Sequence, residues 1–118
     1  MARPHENLEA WREAMRLVRL VYAATQSFPR QEVFGLVAQM RRAAVSIPSN
    51  IAEGAARSSR KEFAQFLNVA KGSLSELETQ MLIAADLGYL PRGHEAFPSV
   101  EQVARLLTGL HRKAVNSK

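Results

Sequence analysis

Residues 41–63 read "RRAAVSIPSNIAEGAARSSRKEF". Ala44, Ile47 and Ile51 step by three and four, the period of a helix with one buried face. Pro48 falls in the middle of that run. A proline has no N–H for the carbonyl of Ala44, and its ring crowds that carbonyl. The cost is about 3 kcal/mol in an unsupported helix. The helix must either break at Ser46–Pro48 and restart, or continue with a kink. Because the apolar step keeps its phase across Pro48, a kinked continuous helix is expected, with Ser46 or Ser49 serving the freed backbone. Asn50, Glu53, Gly54 and Arg57 then fall on one side. Glu53 and Arg57 form an i,i+4 pair in the favourable order. Gly54 presents no side chain, so another backbone can approach it. The group reads either as a solvated polar edge at a helix end or as a polar cluster at a subunit contact or ligand site.

The same period extends to both sides. Upstream, Leu8, Trp11, Met15, Val18 and Tyr22 form one stripe, and Ala14, Leu17, Val21 and Ala24 a second beside it. The apolar face of this first helix is wider than one packing seam needs. Asn7 is the expected N-cap and Phe28-Pro29 the stop. The helix holding Pro48 runs from about Val33 to Ala56. A third begins at a capping box, Ser59 to Glu62, in which each side chain can bond the other's backbone N–H. Its apolar positions, Phe63 through Ala84, continue to Leu87, and Gly88 ends it. "GYLPRGHEAFPS" is the one long connection. A second capping box, Ser99 with Gln102, opens the last helix, carried by Val100, Val103, Leu107, Leu110 and Ala114, and the tail "NSK" is expected to fray. No strand-like alternation occurs. Short links between long helices predict an all-α, antiparallel, up-down-up-down four-helix bundle with a kinked second helix, as a single domain over residues 1–118.

Composition excludes several classes. With 118 residues and 47% hydrophobic side chains the chain is globular. It has no cysteine, which removes disulfides and thiolate metal sites and makes a reducing cytoplasm the expected compartment. The opening residues are charged and lack the apolar core of a secretory leader. No apolar run approaches the ~20 residues of a membrane span. The net charge is +5, and twelve of the sixteen basic residues are arginine, the side chain that forks onto phosphate. That balance permits nucleic-acid binding.

The run "RRAAVSIPSNIAEGAARSSRKEFAQFLNVAKGSLSELETQ", with "LEAWREAMRLVRLVYAATQSFP", "FGLVAQM" and "ADLGYL" around it, resembles the 23S rRNA-intervening-sequence protein family, also called the four-helix bundle protein family. The likeness spans about Leu8 to Leu110. It implies a small cytosolic bacterial bundle that assembles as a homopentamer around an axis. Members were first noticed as reading frames inside insertions of 23S rRNA genes. The family is similar in turn to accessory proteins of diversity-generating retroelements, basic pentameric bundles that bind nucleic acid and a reverse transcriptase. Through that likeness the resemblance implies RNA or DNA as a partner. The wide apolar face of the first helix agrees with self-association on independent grounds, because a lone bundle would leave part of it wet.

Arg12, Arg16 and Arg19 form a basic stripe on the first helix, with Glu9 and Glu13 near enough for ordinary helix-surface pairing. Arg41, Arg42, Arg57, Arg60 and Lys61 against Glu53 and Glu62 give 5 − 2 = +3 over the opening stretch. A ring of copies would multiply that field, since phosphate contacts sum in affinity. No aromatic side chain interleaves with these charges, so a base-stacking platform is not indicated. Arg105 and His111 match the loose R-x(4–6)-H spacing of HEPN ribonucleases, but six residues apart they stand about 120° apart on a regular helix. So short a match arises readily by chance. His5, His94 and His111 have no metal-ligand spacing, and the acids include no E-x-x-H pair of the di-iron kind. Glu76 and Gln80 share a face with Ser73 and Ile83, where a buried interhelical hydrogen bond is expected. The sequence therefore predicts no catalytic site, no cofactor and no metal, and a binding or scaffold role with RNA or a ribonucleoprotein. The competing readings are a structural oligomer with no nucleic-acid role and a HEPN-like ribonuclease.

Overall fold

The computed structural model describes residues 3–116. Four helices carry it: α1 (Glu9–Thr25), α2 (Leu36–Ala55), α3 (Arg60–Asp86) and α4 (Ala96–Asn116). Short 3-10 turns at Pro4–Asn7 and Arg30–Glu32 precede α1 and α2, and no strand occurs among the described residues. Of the expected frayed tail, Asn116 is the last helical residue, while Ser117 and Lys118 lie outside the described residues.

The chain runs helically through Pro48 without a break, so the in-phase apolar step outweighs the lost donor. Ile47, Pro48 and Ile51 are all buried. Neither neighbouring serine hydroxyl turns to the Ala44 carbonyl. The Ser46 hydroxyl lies 2.8 Å from that of Ser73 on α3 and accepts from Asn50 Nδ2 at 3.0 Å. Asn50 Nδ2 also donates to the Ser46 carbonyl at 2.8 Å. The polar side chains near the proline thus join α2 to α3 and do not repair the helix.

Three expectations about helix ends change. Asn7 does not cap α1. It belongs to the Pro4–Asn7 turn, and Leu8 occupies the cap position with no side-chain bond. α2 begins at Leu36, three residues later than Val33, because the Arg30–Glu32 turn intervenes, and Glu32 Oε1 accepts from the Leu36 N–H at 3.3 Å. α4 begins at Ala96, so the Ser99–Gln102 capping box does not form. His94 Nδ1 instead accepts from the Ala96 N–H at 3.0 Å. Pro98 then sits in the first helical turn, where its missing donor costs little. The Ser59 box does open α3: its hydroxyl accepts from the Glu62 N–H at 3.1 Å. The Glu62 carboxylate, however, accepts from that same hydroxyl at 3.2 Å, not from the Ser59 N–H. Gly88, at φ +81°, ends α3 in a Schellman turn, with the Tyr89 N–H bonded to the Ala84 carbonyl and the Gly88 N–H to that of Ala85.

The helices pack as a bundle in which each touches two others: α1 meets α2 and α4, and α3 meets α2 and α4. Leu17, Met40, Ile47, Leu67, Leu77, Met81 and Leu107 fill the centre with no more than 1% of their surface exposed. Of the two apolar stripes on α1, the second is the core one. Ala14, Leu17 and Val21 are fully buried, whereas Trp11, Met15 and Val18 remain half-buried and Tyr22 is exposed. Among the described residues no helix is long and apolar enough to cross a membrane.

Candidate self-association and nucleic-acid surface

The half-exposed stripe of α1 does not face open solvent alone. Trp11, Met15 and Val18 line an open groove of ≈ 310 Å³ whose other wall is Val45, Pro48, Ser49 and Ala52 of α2. Val45 is itself 40% exposed. Pro48 is thus a wall of a surface groove as well as a break in the hydrogen-bond ladder. The His5 and Trp11 rings meet edge-to-face, 5.1 Å between centroids, at the N-terminal end of the groove.

The eight basic candidates divide into two sets. Arg41 is committed to the fold. Its Nε donates to the buried Thr25 Oγ1 at 2.9 Å, its Nη2 to the Tyr22 carbonyl at 3.3 Å, and its guanidinium lies 4.4 Å from the centre of the Tyr22 ring. Arg57 pairs with Glu53 at 2.9 Å and covers the Phe66 ring. Arg16 bridges Glu13 and Glu95 at 3.1 and 3.3 Å, and Arg12 donates to the Glu6 carbonyl at 3.1 Å. Among the described residues, Arg19, Arg42, Arg60 and Lys61 have no hydrogen-bonding or ion-pair partner. The charges of the opening stretch are also not gathered beside Pro48. Arg41 and Arg57 stand 16 residues apart along α2 and its end, about 24 Å at helical rise. One group therefore sits at the α1–α2 end and the other, with Arg60 and Lys61, at the α2–α3 turn.

Asn50, Glu53 and Gly54 divide in the same way. Asn50 is spent on Ser46, and Glu53 on Arg57. Gly54 is buried where α3 crosses: a Cβ built there would stand 2.7 Å from Phe66 Cβ and 2.9 Å from Phe63 Cδ1. On α3, Gln80 is buried, but its Oε1 has no hydrogen-bond partner, so the interhelical bond expected of it is absent at that atom. The Ser46–Ser73 contact takes that place. Glu76 is exposed.

Two features were not legible in the sequence. One is the tie between the inter-helix links, in which the Tyr89 hydroxyl donates to Glu32 Oε2 at 3.2 Å. Desolvation, then the neighbouring Glu32 carboxylate, raise the Tyr89 pKa above its ordinary 10.0. The other is an open cleft of ≈ 490 Å³ between α3 and the start of α4, walled by Glu78, Leu82, Arg92, His94, Phe97 and Glu101. Arg92 there pairs with Asp86, and His94 is the α4 cap. Among the described residues no group of three or more His, Asp or Glu side chains is placed to hold a metal ion. Arg105 Nη2 donates to Gln102 Oε1.

This four-helix arrangement, with its polar α2–α3 seam at Ser46, Asn50 and Ser73, coincides with a family match. The model of the 23S rRNA-intervening sequence protein family covers residues 6–109. The chain belongs to this family. No curated protein matches it. The matched span begins within the Pro4–Asn7 turn and ends in α4, so all four helices of this family member contribute to it.

Proposed function

We propose that the protein is a non-catalytic scaffold that self-associates, as a homopentamer, and binds RNA through the cations its own fold leaves unpaired. The observation that carries this reading is the α1–α2 groove. Trp11, Met15, Val18 and Val45 leave contiguous apolar surface in water along the α1–α2 groove, and contiguous apolar surface of this kind marks association sites. Arg19 and Arg42, each near that groove in sequence, and Arg60 with Lys61 at the α2–α3 turn are free to meet phosphate.

The bundle is antiparallel in this reading. In support, Arg41 near the start of α2 reaches Thr25 at the end of α1, and successive contacts of α1 with α4 run in opposite directions along the chain: Arg16 pairs with Glu95, Glu13 accepts from Ser99, and Glu9 and Ala10 share a pocket with Arg105 and Leu106. α2 bends at Pro48, where the ladder lacks a donor, and the bend sets the width of the groove. The cytoplasm is the proposed site of action, in keeping with a chain that uses no cysteine.

Light scattering on the purified protein should give a mass near five chains. A gel shift with mixed single-stranded RNA should appear at low salt and fade as salt rises. A monomer mass removes the scaffold reading. No shift at low salt removes the RNA reading and leaves a structural oligomer. The HEPN alternative predicts that Arg105→Ala and His111→Ala abolish RNA cleavage; the proposed function expects no cleavage by the wild type.

A further inference from the structure

The groove on α1 and α2 has a counterpart on α3. Val69 and Ile83 are 51% and 45% exposed, and exposed Glu76 lies midway between them at seven-residue spacing, two helical turns each way. These three side chains make a ridge on one flank of α3. Ser73, which reaches Ser46, falls between Val69 and Glu76 in sequence, so the ridge lies toward the α2 side of the bundle. Gly72 is exposed in the middle of α3 beside this ridge, and nothing stands within 4 Å of where its Cβ would be. A glycine inside a helix costs about 1 kcal/mol relative to alanine. No contact within the chain accounts for Gly72, unlike Gly54, whose place is taken up by α3.

The two surfaces complement each other. The groove is apolar along Trp11, Met15 and Val18 over seven residues of α1, with Val45 and Pro48 opposite. Arg19 follows Val18 directly and Arg42 precedes Val45 by three residues; both are exposed and unpartnered among the described residues. The ridge is apolar at its ends and carries one carboxylate, Glu76, also without a partner among the described residues. An apolar ridge with a central anion fits an apolar groove with cations at its rim, and a bare glycine beside the ridge lets a second backbone come close.

We infer that the α3 ridge of one copy, Val69–Gly72–Glu76–Ile83, seats in the α1–α2 groove of a second copy, with Glu76 meeting Arg19 and Arg42. The contact is heterologous: each copy offers a different face to each neighbour. Adjacent sides of a four-helix bundle face directions about 90° apart. A repeated contact between two such sides turns each copy by a similar angle, which closes as a small ring when the repeat carries no rise along its axis. This rests on the self-association proposed above and names the surfaces that perform it.

Charge reversal tests it directly. Glu76→Arg alone, and the double variant Arg19→Glu/Arg42→Glu alone, each place like charges across the contact. Each should run as a monomer by light scattering while keeping wild-type helicity by circular dichroism. Mixed in equal amounts, the two variants present opposite charges wherever unlike copies meet and should co-elute at more than twice the monomer mass, as alternating chains or even-numbered rings, since five copies cannot alternate. Gly72→Ala should raise the thermal stability of the monomer yet weaken association by about tenfold, because the added methyl stands between two backbones. A wild-type monomer would overturn the self-association reading together with this one. A wild-type oligomer whose charge variants keep their mass would overturn only the ridge-in-groove contact. Monomeric variants that stay monomeric on mixing would overturn the pairing of Glu76 with Arg19 and Arg42, and unchanged association in Gly72→Ala would remove the close approach at that residue.

Discussion

Gly54 and Gly72 show how one residue type takes opposite signs in one molecule. At Gly54 a methyl group would meet Phe66 Cβ and Phe63 Cδ1 at 2.7 and 2.9 Å. The first of those atoms is fixed to the α3 backbone and cannot swing away. Overpacking costs about 1–3 kcal/mol, more than the helix propensity that alanine would return. Gly54→Ala should therefore lower the urea midpoint by an amount equivalent to about 1–2 kcal/mol. Gly54 was legible in the sequence as a point of close approach, because a glycine so near a helix end and a turn has few other uses. Arg41 was not. Its neighbour Arg42 looks identical in the sequence, and only the fold shows that Arg41 is held by Thr25, the Tyr22 carbonyl and the Tyr22 ring, while Arg42 is exposed. Arg41→Met should destabilise by about 1–2 kcal/mol, since it leaves the buried Thr25 without its donor. In the monomeric Glu76→Arg background, where no second copy reaches Arg42, Arg42→Met should change stability by no more than about 0.5 kcal/mol, as surface substitutions do.

At the scale of elements, periodicity located all four helices, and local chemistry decided where they end. The α4 boundary was missed because Pro98 was placed in the long connection, whereas proline also suits a first helical turn, and because a His94 ring nitrogen is a less familiar acceptor for a helix start than Ser99. Removing the ring nitrogen that accepts from the Ala96 N–H, as in His94→Ala, should cost about 1 kcal/mol, read as a lower thermal midpoint. The Tyr89–Glu32 tie has a pH signature. The neutral phenol donates to Glu32, and its raised pKa means that the folded state binds this proton more tightly than the unfolded one. The stability it contributes is present below pH 10 and is lost as pH rises through the folded pKa. Wild-type stability should fall more steeply above pH 10 than that of Tyr89→Phe. Pro48 tests α2 as a whole. If the proline served only as a defect, Pro48→Ala would stabilise the chain and leave its mass unchanged. Because Pro48 is a wall of the groove and the proposed bend there would set the groove width, Pro48→Ala should weaken the oligomer, seen as a shift toward monomer on dilution.

For the whole molecule, the sequence reading counted charge, and the fold shows which charges are available. Eight basic side chains were candidates for phosphate, but Arg12, Arg16, Arg41 and Arg57 already have partners in the chain. Moving any of those four onto RNA would forfeit an internal contact. Arg19, Arg42, Arg60 and Lys61 carry no such cost. Arg19 and Arg42 flank the groove that the ridge of a second copy would fill, so assembly would pair them with Glu76 and withdraw them from RNA. Of the eight candidates that leaves Arg60 and Lys61, the first two residues of α3 beside the α2–α3 turn, which a ring of copies would repeat once per copy. Each phosphate neutralised on single-stranded RNA contributes about 0.7 to the slope of log affinity against log salt. Arg60→Gln/Lys61→Gln should therefore flatten that slope by about 1.4 for every copy in contact with the RNA, with the assembly mass unchanged. Arg12→Gln and Arg57→Gln should leave the slope as it is. A slope that responds equally to all of these substitutions would mean that RNA, if bound, reads only the net charge of the molecule, and the turn would lose its claim to be the binding surface.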